Sequence, residues 1–394
     1  MDVSLVVILV VILALFFDFT NGFHDTANAM ATPIATGAIK PKPAVALAAV
    51  LNLVGAFLSV EVAQTISGGL IREGANGVQI TPEFVFAGLV GAVLWNLLTW
   101  LLGLPSSSSH ALFGGLIGAA IVGSGIGAID GGVVVQKILL PALVAPAVAG
   151  TAAFLSTRLA YAITAKGTRG SFRAGQLFSA SLVALSHGTN DAQKTMGVIT
   201  LVLVSAGMQQ AGTPPHFWVI LSCALAIAIG TYSGGWRIIR TMGRGITEIK
   251  PVQGFSAEVS TASAILASSH LGFALSTTQV ASGSVLGSGL GRRGSSVQWG
   301  TAGRIALAWL LTLPSAGIIG AVSAALMHVS EAGFMIVAIA GMAGIAIIFV
   351  ISQRSAVTHK NALSEVEEVG ETVHRPRRRR GKKSGGSKGK ETRS

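Results

Sequence analysis

The sequence predicts an all-α membrane protein with several spans, built as an inverted-topology repeat with two broken helices and two re-entrant helical hairpins. Composition gives the first indication, because 51% of the 394 residues are hydrophobic, only 11% are charged, and the mean hydropathy is +0.66. Soluble domains carry about 25% charged residues. The second indication is a series of long apolar stretches, and the third is a pair of polar motifs that each occur twice.

The apolar stretches are mostly long enough to cross a hydrocarbon core of about 30 Å as helices. They lie near residues 44–63, 84–103, 110–126, 138–160, 217–235, 301–325 and 332–352. The chain contains 50 glycines, which suit close contact between helices in lipid. With one cysteine, Cys223, the chain cannot form an intrachain disulfide, so redox chemistry is not indicated. The N-terminal "MDVSL" lacks the basic region of a cleaved signal peptide.

The net charge of +12 comes mainly from the end of the chain. From Arg375 onward there are ten Lys or Arg residues and one Glu, so 12 minus 9 leaves +3 for the rest. The segment is rich in Gly and Ser, which is typical of disorder. We expect residues 353–394 to form a solvated cytoplasmic tail attracted to anionic membrane lipids. Nucleic acid is not an expected partner.

Two motifs recur in the same order at nearly one spacing. "NGFHDTANAM" (21–30) aligns with "HGTNDAQKTM" (187–196) at an offset of 166, which matches Asp25 with Asp191. "SSSHALFGGLIG" (107–118) aligns with "STTQVASGSVLG" (276–287) at an offset of 169. The aspartate match is informative because the chain has only five aspartates. The sequence therefore predicts an internal duplication.

Short loops rich in Lys and Arg predict the orientation of the two halves. The loop around 208–216 has none and is predicted to be external, whereas Lys40 and Lys42 place the equivalent loop of the first half inside. Equivalent loops on opposite sides indicate inverted repeats, with the N-terminus outside and the C-terminus cytoplasmic. Further cytoplasmic loops are marked by Lys166, Arg169 and Arg173; by Arg237, Arg240, Arg244 and Lys250; and by Arg292 and Arg293.

These patterns divide the chain into four parts. Residues 1–160 are predicted to form the first inverted repeat, and residues 161–173 a cytoplasmic linker. The second repeat and an additional C-terminal helix occupy 174–352, and the basic tail occupies 353–394. Residues 3–39 and 174–207 are each predicted to be one crossing that is broken midway by its polar motif.

The first polar motif suits a small cation or a proton. An ionised carboxylate at bilayer depth costs about 2.5–3.5 kcal/mol on insertion scales, so it usually faces a wet site or a partner. Asp25 with Asn28, and Asp191 with Asn190 and Gln193, offer the oxygen ligands that such a site needs. The alternative is that these side chains only form hydrogen bonds between helices.

The second motif suits an anion. "LPSSSSH" and "LSTTQ" each place hydroxyl groups where a helix begins, and free N–H groups at a helix start favour negative charge. The alternative for either turn alone is an ordinary helix cap. Lys194 either helps to neutralise the anion or faces a lumen. His24, His110 and His187 lie near the motifs and either titrate or act as hydrogen-bonding scaffold.

Four segments resemble the signature segments of the inorganic phosphate transporter (PiT or PHO4) family, in particular its bacterial low-affinity permeases. These are "NGFHDTANAMAT", "SHGTNDAQKTMGVIT", "LPSSSSHALFGG" and "GFSAEVSTASAILASSHLGFALSTTQVASGSVLG". The resemblance runs from about residue 8 to residue 310. It implies a cation-coupled phosphate symporter made of inverted repeats, with two re-entrant hairpins meeting at the substrate.

The resemblance also implies roles for particular residues. The cation and phosphate core would contain Asp25, Asn28, Asn190 and Asp191, with Ser107, Ser108 and Ser109 from one hairpin and Ser276, Thr277 and Thr278 from the other. Glu258 and Glu61 match acidic positions implicated in transport, and Gln193 is added as a substrate ligand. Asp25 and Asp191 would hold the metal if Na⁺ is the coupling ion. The family commonly has a histidine at the position of Gln279, so this residue departs from the family pattern. The equivalent position in the first hairpin keeps the histidine, as His110.

The expected function is therefore import of inorganic phosphate across the cell membrane by symport with H⁺ or Na⁺, or of a metal–phosphate complex. An alternative is symport of another tetrahedral oxyanion such as sulfate. We expect no enzyme activity, because the sequence shows no metal triad, catalytic triad or Walker-type loop. No cofactor is expected beyond the co-transported cation. The expected partners are phosphate, that cation and membrane lipids, and a homo-oligomer is left open.

Overall fold

The computed structural model describes residues 3–69, 80–164, 169–271, 275–330, 332–359 and 361–362. Throughout this part of the chain the regular structure is helical, apart from one isolated bridge between Thr247 and Val297. The N-terminal half contains α1 (Val3–Ala35), α2 (Pro41–Gly55), α3 (Glu61–Gly69), α4 (Pro82–Leu101), α5 (Ser108–Ser124), α6 (Gly131–Val133) and α7 (Leu140–Ile163). A π-helical segment, Val134–Leu139, joins α6 to α7.

The C-terminal half follows the same order and then has one further helix. It contains α8 (Arg169–Ser205), α9 (Phe217–Ser233), α10 (Trp236–Arg240), α11 (Pro251–His270), α12 (Thr277–Gly291), α13 (Trp299–Val329) and α14 (Gly333–Arg354). The single helix α13 stands in place of α6 and α7, and α14 is the further helix. α7 ends at Ile163 and α8 starts at Arg169, so the described residues of the predicted linker 161–173 are helical apart from Thr164. α14 continues to Arg354 and so includes the first two residues of the predicted tail, 353–394. From residue 363 onward the tail lies outside the described residues.

Five helical stretches of the described chain are long and apolar enough to cross a membrane. They are Val3–Ala35, Pro82–Leu101, Gly131–Ile163, Trp299–Val329 and Gly333–Arg354. A sixth is obtained if Phe217–Ser233 and Trp236–Gly245, which meet at a bend of 58°, count as one span. α8 is not among them, since its Ser, Thr, Asn and Gln residues lower its hydropathy.

α1 and α8 are continuous helices, so the predicted breaks at the polar motifs are wrong. Five polar residues of α1 recur every three or four positions, which places them on one side of a helix: Asp18, Asn21, Asp25, Asn28 and Thr32. Their side chains can then bond to other helices while the backbone keeps its own hydrogen bonds. Asp25 and Asp191 consequently project from the middle of intact helices rather than from unwound turns.

α5 and α12 are short, with 17 and 15 residues. At about 1.5 Å per residue they are about 25 Å and about 22 Å long, less than the hydrocarbon core of about 30 Å. Each begins at a serine N-cap, Ser107 or Ser276. These lengths are compatible with the predicted re-entrant hairpins, whose placement in a bilayer stays a prediction.

The two halves pack on each other through equivalent contacts. α5 packs on α13 of the other half, and α12 packs on α7. A Cβ atom at Gly118 would lie 1.9 Å from the carbonyl oxygen of Gly317, and one at Gly287 would lie 1.9 Å from that of Gly150. Gly118 and Gly287 are related by the offset of 169, and Gly150 and Gly317 by 167. The same backbone contact therefore occurs twice with the halves exchanged.

A second pair of contacts follows the same rule around the polar helices. α1 packs on α9, and α8 packs on α2. A Cβ at Gly22 would lie 2.3 Å from the carbonyl oxygen of Ile227, and one at Gly188 would lie 2.2 Å from that of Asn52. These close backbone contacts support the duplication inferred from the motifs. They also fix α1 and α8 side by side at the centre of the protein.

Candidate functional site

Asp25 of α1 and Asp191 of α8 meet at the centre of the protein together with His187. One ligating atom from each of the three residues lies within 4.8 Å of the other two, and all three side chains are buried. The duplicated motif predicted that the two aspartates share a site, and the helix packing brings them together. We call Asp25, His187 and Asp191 the acidic centre.

Asp25 accepts hydrogen bonds from its own helix and from both short helices. His24 Nδ1 lies 2.6 Å from Oδ1, and the hydroxyl of Thr278 donates to the same oxygen over 3.1 Å. The hydroxyl of Ser108 donates to Oδ2 over 3.2 Å. The starts of α5 and α12 therefore converge on one carboxylate.

Asp191 is held by two cationic or titratable neighbours and one hydroxyl. Lys194 Nζ donates to its Oδ1. His187 Nε2 lies 2.8 Å from Oδ2, and Thr277 donates to that oxygen over 2.9 Å. Thr277 also lies 3.3 Å from Asp25 Oδ2, so this hydroxyl stands between the two carboxylates.

Lys194 connects the acidic centre to both short helices. The ammonium group is buried and donates to Ser109 Oγ over 2.6 Å and to the carbonyl oxygen of Leu275 over 2.9 Å. The hydroxyl of Ser109 donates to the same carbonyl over 3.3 Å. Lys194 is therefore a central residue of the site, and the possibility that it only faces a lumen does not hold.

Lys194 and Asn28 occupy equivalent positions, since they are 166 residues apart. Asn28 Nδ2 donates to Thr278 over 3.1 Å, just as Lys194 Nζ donates to Ser109, which is equivalent to Thr278. The duplicated geometry is thus the same, but one copy carries an amide and the other an ammonium charge. The positive charge lies on the side of Asp191.

Ser107 and Ser276 act as helix caps. The Oγ of Ser107 accepts from the backbone N–H of His110 over 3.2 Å, and that of Ser276 accepts from the N–H of Gln279 over 3.3 Å. Of the six hydroxyl residues named from the sequence, these two therefore fit the capping alternative. The other four, Ser108, Ser109, Thr277 and Thr278, bond to the acidic centre or to Lys194.

For two histidines of the site, His24 and His187, the sequence left open whether they titrate or act as hydrogen-bonding scaffold. His24 joins Asp25 to α4 and to the turn before α5, because its Nε2 lies 3.4 Å from Thr99 and 3.3 Å from Ser106. His187 lies between both aspartates and has its Nδ1 3.3 Å from Asn52 Oδ1. The spacing of His187, one helical turn before Asp191, is the signal that could have indicated it.

Gln193 and Glu61 are not brought to the acidic centre, contrary to expectation. The Oε1 of Gln193 accepts from the backbone N–H of Val62 over 2.8 Å and of Ala63 over 3.3 Å, so the side chain holds the start of α3. Glu61 is exposed and bonds to the hydroxyl of Ser59. Asn190 precedes Asp191 in the chain, and its Nδ2 donates to the hydroxyl of Ser269 over 2.9 Å.

Glu258 is buried in a separate polar cluster on the same side of α1. It accepts from Thr32 and Ser179, each over 2.5 Å, and from Gln176 Nε2 over 3.1 Å. Thr32 follows Asp25 by seven residues, which is about 10 Å along a helix. Glu258 is therefore connected to α1 but lies outside the acidic centre.

Comparison with known proteins identifies the fold and the family. The model of the Phosphate transporter family matches residues 21–169 and 160–320. A "Probable low-affinity inorganic phosphate transporter" from Mycobacterium leprae is 55% identical over 374 residues, covering 92% of this chain and 88% of the relative. One of the same name from Bacillus subtilis is 41% identical over 330 residues, covering 82% and 98%.

A solved structure named "The sodium-dependent phosphate transporter" has the same fold, with a TM-score of 0.74 at 24% identity, covering 82% of this chain and 99% of the other. The relatives are named as transporters, in agreement with the expectation that this is not an enzyme. The resemblance of the four motifs is thus confirmed: the chain is a multi-pass membrane protein and belongs to the phosphate transporter family.

Proposed function

We propose that the protein imports inorganic phosphate by symport with a monovalent cation, H⁺ or Na⁺. The observation that carries the proposal is the convergence of two hydroxyl-bearing helix starts and Lys194 on the buried pair Asp25 and Asp191. Curated relatives named low-affinity inorganic phosphate transporters support the choice of substrate. The solved transporter of the same fold is named sodium-dependent, which supports a coupling cation.

The phosphate ligands would be the four hydroxyls of Ser108, Ser109, Thr277 and Thr278 together with Lys194. In the structure Ser108, Thr277 and Thr278 donate to the two carboxylates the hydrogen bonds that phosphate oxygens could accept. Phosphate entry therefore requires the hydroxyls to turn from the carboxylates to the anion. The free N–H groups at the starts of α5 and α12 would add favourable partial charges.

The coupling follows from the charges of the site. One carboxylate oxygen of Asp25 lies within 4.8 Å of one of Asp191, and two unit charges at that limit repel by about 3.5 kcal/mol at an effective dielectric constant of about 20. A phosphate anion placed beside both carboxylates would add further repulsion. A cation bound at the acidic centre, with amide oxygens of Asn28 and Asn190 as further ligands, would remove much of it. The cation and phosphate should therefore bind together.

The membrane potential sets the direction and the minimum stoichiometry. An interior-negative potential opposes entry of one negative charge by about 2.3 kcal/mol per 100 mV. Accumulation of monovalent phosphate driven by this potential needs at least two monovalent cations per anion. Transport of a neutral metal–phosphate complex with a proton is the related alternative.

Alternating access would use the duplicated architecture. We infer that the halves 1–160 and 174–352 are inverted in the membrane, with the N-terminus outside and the C-terminus cytoplasmic, as the Lys and Arg distribution predicts. The short helices α5 and α12 would then enter from opposite sides and meet at the acidic centre. Their reciprocal packing on α13 and α7 supports this arrangement.

Uptake of labelled phosphate into proteoliposomes tests the proposal. Under imposed Na⁺ or pH gradients, Asp25→Asn and Asp191→Asn should abolish uptake, whereas Thr151→Ala, on an exposed face of α7, should leave it unchanged. Ser108→Ala and Thr277→Val should raise the KM for phosphate. Full uptake by either aspartate variant would contradict the coupling role.

The same preparation distinguishes phosphate from other oxyanions. Hydroxyl and N–H donors recognise a tetrahedral anion by shape, so a sulfate symporter would share the geometry. Excess unlabelled phosphate should suppress uptake of the label, and excess sulfate should not. Equal competition by sulfate would make the substrate a general tetrahedral oxyanion.

A further inference from the structure

Asp18 of α1 is a buried carboxylate that the proposed mechanism does not use. Its side chain is 0% exposed, and neither carboxylate oxygen has a hydrogen-bond partner. Among the described residues it also has no ion-pair partner. Asp25 and Asp191 each accept several hydrogen bonds at similar burial, so Asp18 differs from both in having no formed hydrogen bond or ion pair to its carboxylate.

Asp18 lies on the same side of α1 as the acidic centre. It precedes Asp25 by seven residues, two helical turns or about 10 Å. We define the polar stripe of α1 as Asp18, Asn21, Asp25, Asn28 and Thr32, which are all buried and recur every three or four residues. From Asp18 to Thr32 the stripe spans about 21 Å, most of a hydrocarbon core of about 30 Å. At its end, Thr32 donates a hydrogen bond to Glu258.

The neighbours of Asp18 offer acceptor oxygens but no fixed positive charge in contact. The hydroxyl of Thr195 faces it from α8, one turn beyond Asp191, and can donate to it or accept from it, although neither this hydroxyl nor the Oδ1 of Asn21 is within hydrogen-bond geometry of a partner in the structure. The titratable or charged groups that act on Asp18 are His187, Asp191 and Lys194 of α8 and Cys223 of α9. Lys194 and His187 are already bound to Asp191.

An ionised carboxylate in this position would carry an uncompensated buried charge. Such a charge costs several kcal/mol even after relaxation of the protein, and a group so placed usually becomes neutral. A proton neutralises the carboxylate without a shell of ligands. The resulting O–H can also donate to Asn21 or Thr195, which satisfies one of the unpaired oxygens.

We propose that Asp18 is a second cation-binding position of the transporter and that it binds one proton per transport cycle. This inference rests on the proposed function. The proton is taken from water on the side of the membrane where α1 begins. It is bound at Asp18 while the acidic centre has the arrangement seen in the structure. It returns to water on the opposite side when the polar stripe opens there. Asp18 thus adds one positive charge to those bound at Asp25 and Asp191.

Two transport measurements on the full chain in proteoliposomes test this role. Exchange of external labelled phosphate for internal phosphate requires binding and reorientation but no net proton movement. Accumulation under an imposed pH gradient, with the membrane potential clamped, requires the proton. We expect Asp18→Asn to keep exchange within about twofold of wild type, while its limiting accumulation falls about tenfold per pH unit for the one lost proton.

Two controls separate a proton-binding role from a structural one. Asp18→Glu restores a titratable group and should restore pH-driven accumulation. Because Asn copies the shape of a protonated carboxyl, Asp18→Asn should unfold at nearly the wild-type temperature. A large loss of stability in Asp18→Asn would mean that the native residue is charged, and would overturn the proposal.

The remaining outcomes are equally decisive. Undiminished pH-driven accumulation by Asp18→Asn would overturn the proposal, as would loss of exchange in both Asp18→Asn and Asp18→Glu. If a Na⁺ gradient at equal pH drives uptake by the wild-type protein and Asp18→Asn abolishes this uptake, the ion at Asp18 is Na⁺ and the proton assignment fails. Absence of phosphate exchange by the wild-type protein would instead refute the proposed function itself.

Discussion

Lys194 provides the most direct test of how the buried charges are balanced. Its ammonium donates to Asp191, to Ser109 and to the carbonyl oxygen of Leu275, all within the protein interior. Lys194→Met keeps the length of the side chain but removes the charge and the three donors. Removing one partner of a buried ion pair destabilises a protein by about 3–5 kcal/mol, because the other charge is left uncompensated.

A double variant separates the lost charge from the lost volume. In Lys194→Met/Asp191→Asn neither residue of the buried ion pair carries a charge, so the double variant should regain at least half of the stability lost by Lys194→Met alone. Stability can be followed by the intrinsic fluorescence of the six tryptophans during thermal unfolding in detergent. Lys42→Met, at an exposed position of α2, is the control and should change stability by less than about 0.5 kcal/mol.

The reasoning has a clear point of failure. If Lys194→Met unfolds at the wild-type temperature, the ammonium does not compensate Asp191. If the double variant is less stable than Lys194→Met, the two residues are not coupled in the way that their contact suggests. Phosphate added to wild type should raise the unfolding temperature, and this shift should be smaller in Lys194→Met because the proposed anion ligand is absent.

Three further predictions concern packing and the end of the chain. Gly118→Ala places a methyl group against the backbone of α13 and should destabilise the protein by about 1–3 kcal/mol. The control Gly303→Ala, at a position with open space around it, should not destabilise the protein. Equal unfolding temperatures for these two variants would refute the close contact at Gly118. Gln193→Leu removes the acceptor for two N–H groups of α3 and should lower stability by about 1–3 kcal/mol without changing the KM for phosphate; a raised KM would return Gln193 to the substrate ligands. Deletion of residues 375–394 should leave uptake unchanged, and lost uptake at normal membrane levels would show that the basic tail takes part.

The duplication made the centre of the site predictable. Matching Asp25 with Asp191, and the serine-rich turn with its threonine-rich copy, was enough to expect carboxylates and hydroxyls at a shared position. The sequence does not show whether a polar residue interrupts a helix or only projects from it. The breaks expected in α1 and α8 were wrong for this reason: polar groups at helical spacing leave the backbone ladder intact.

The partners of individual side chains could not be predicted in the same way. Gln193 stands two residues from Asp191, but it points to α3, and only the packing of α3 on α8 reveals this. Lys194 and His187 gain their roles from contacts with another helix or with a carboxylate one turn away. Asp18 has no copy in the second half, so a search for repeated residues passes over it.

The exchanged packing of α5 on α13 and of α12 on α7 has a consequence for how the protein is assembled. Each short helix rests on one helix of its own half, α4 for α5 and α11 for α12, and on one helix of the other half, so residues 1–160 made alone would leave the glycine backbone of α5 that faces α13 uncovered. Synthesis of the second half is needed before the first can close, and two separately expressed halves should recombine rather than act as independent domains. A one-half ancestor with this packing would have needed a second copy of itself to supply the missing surface.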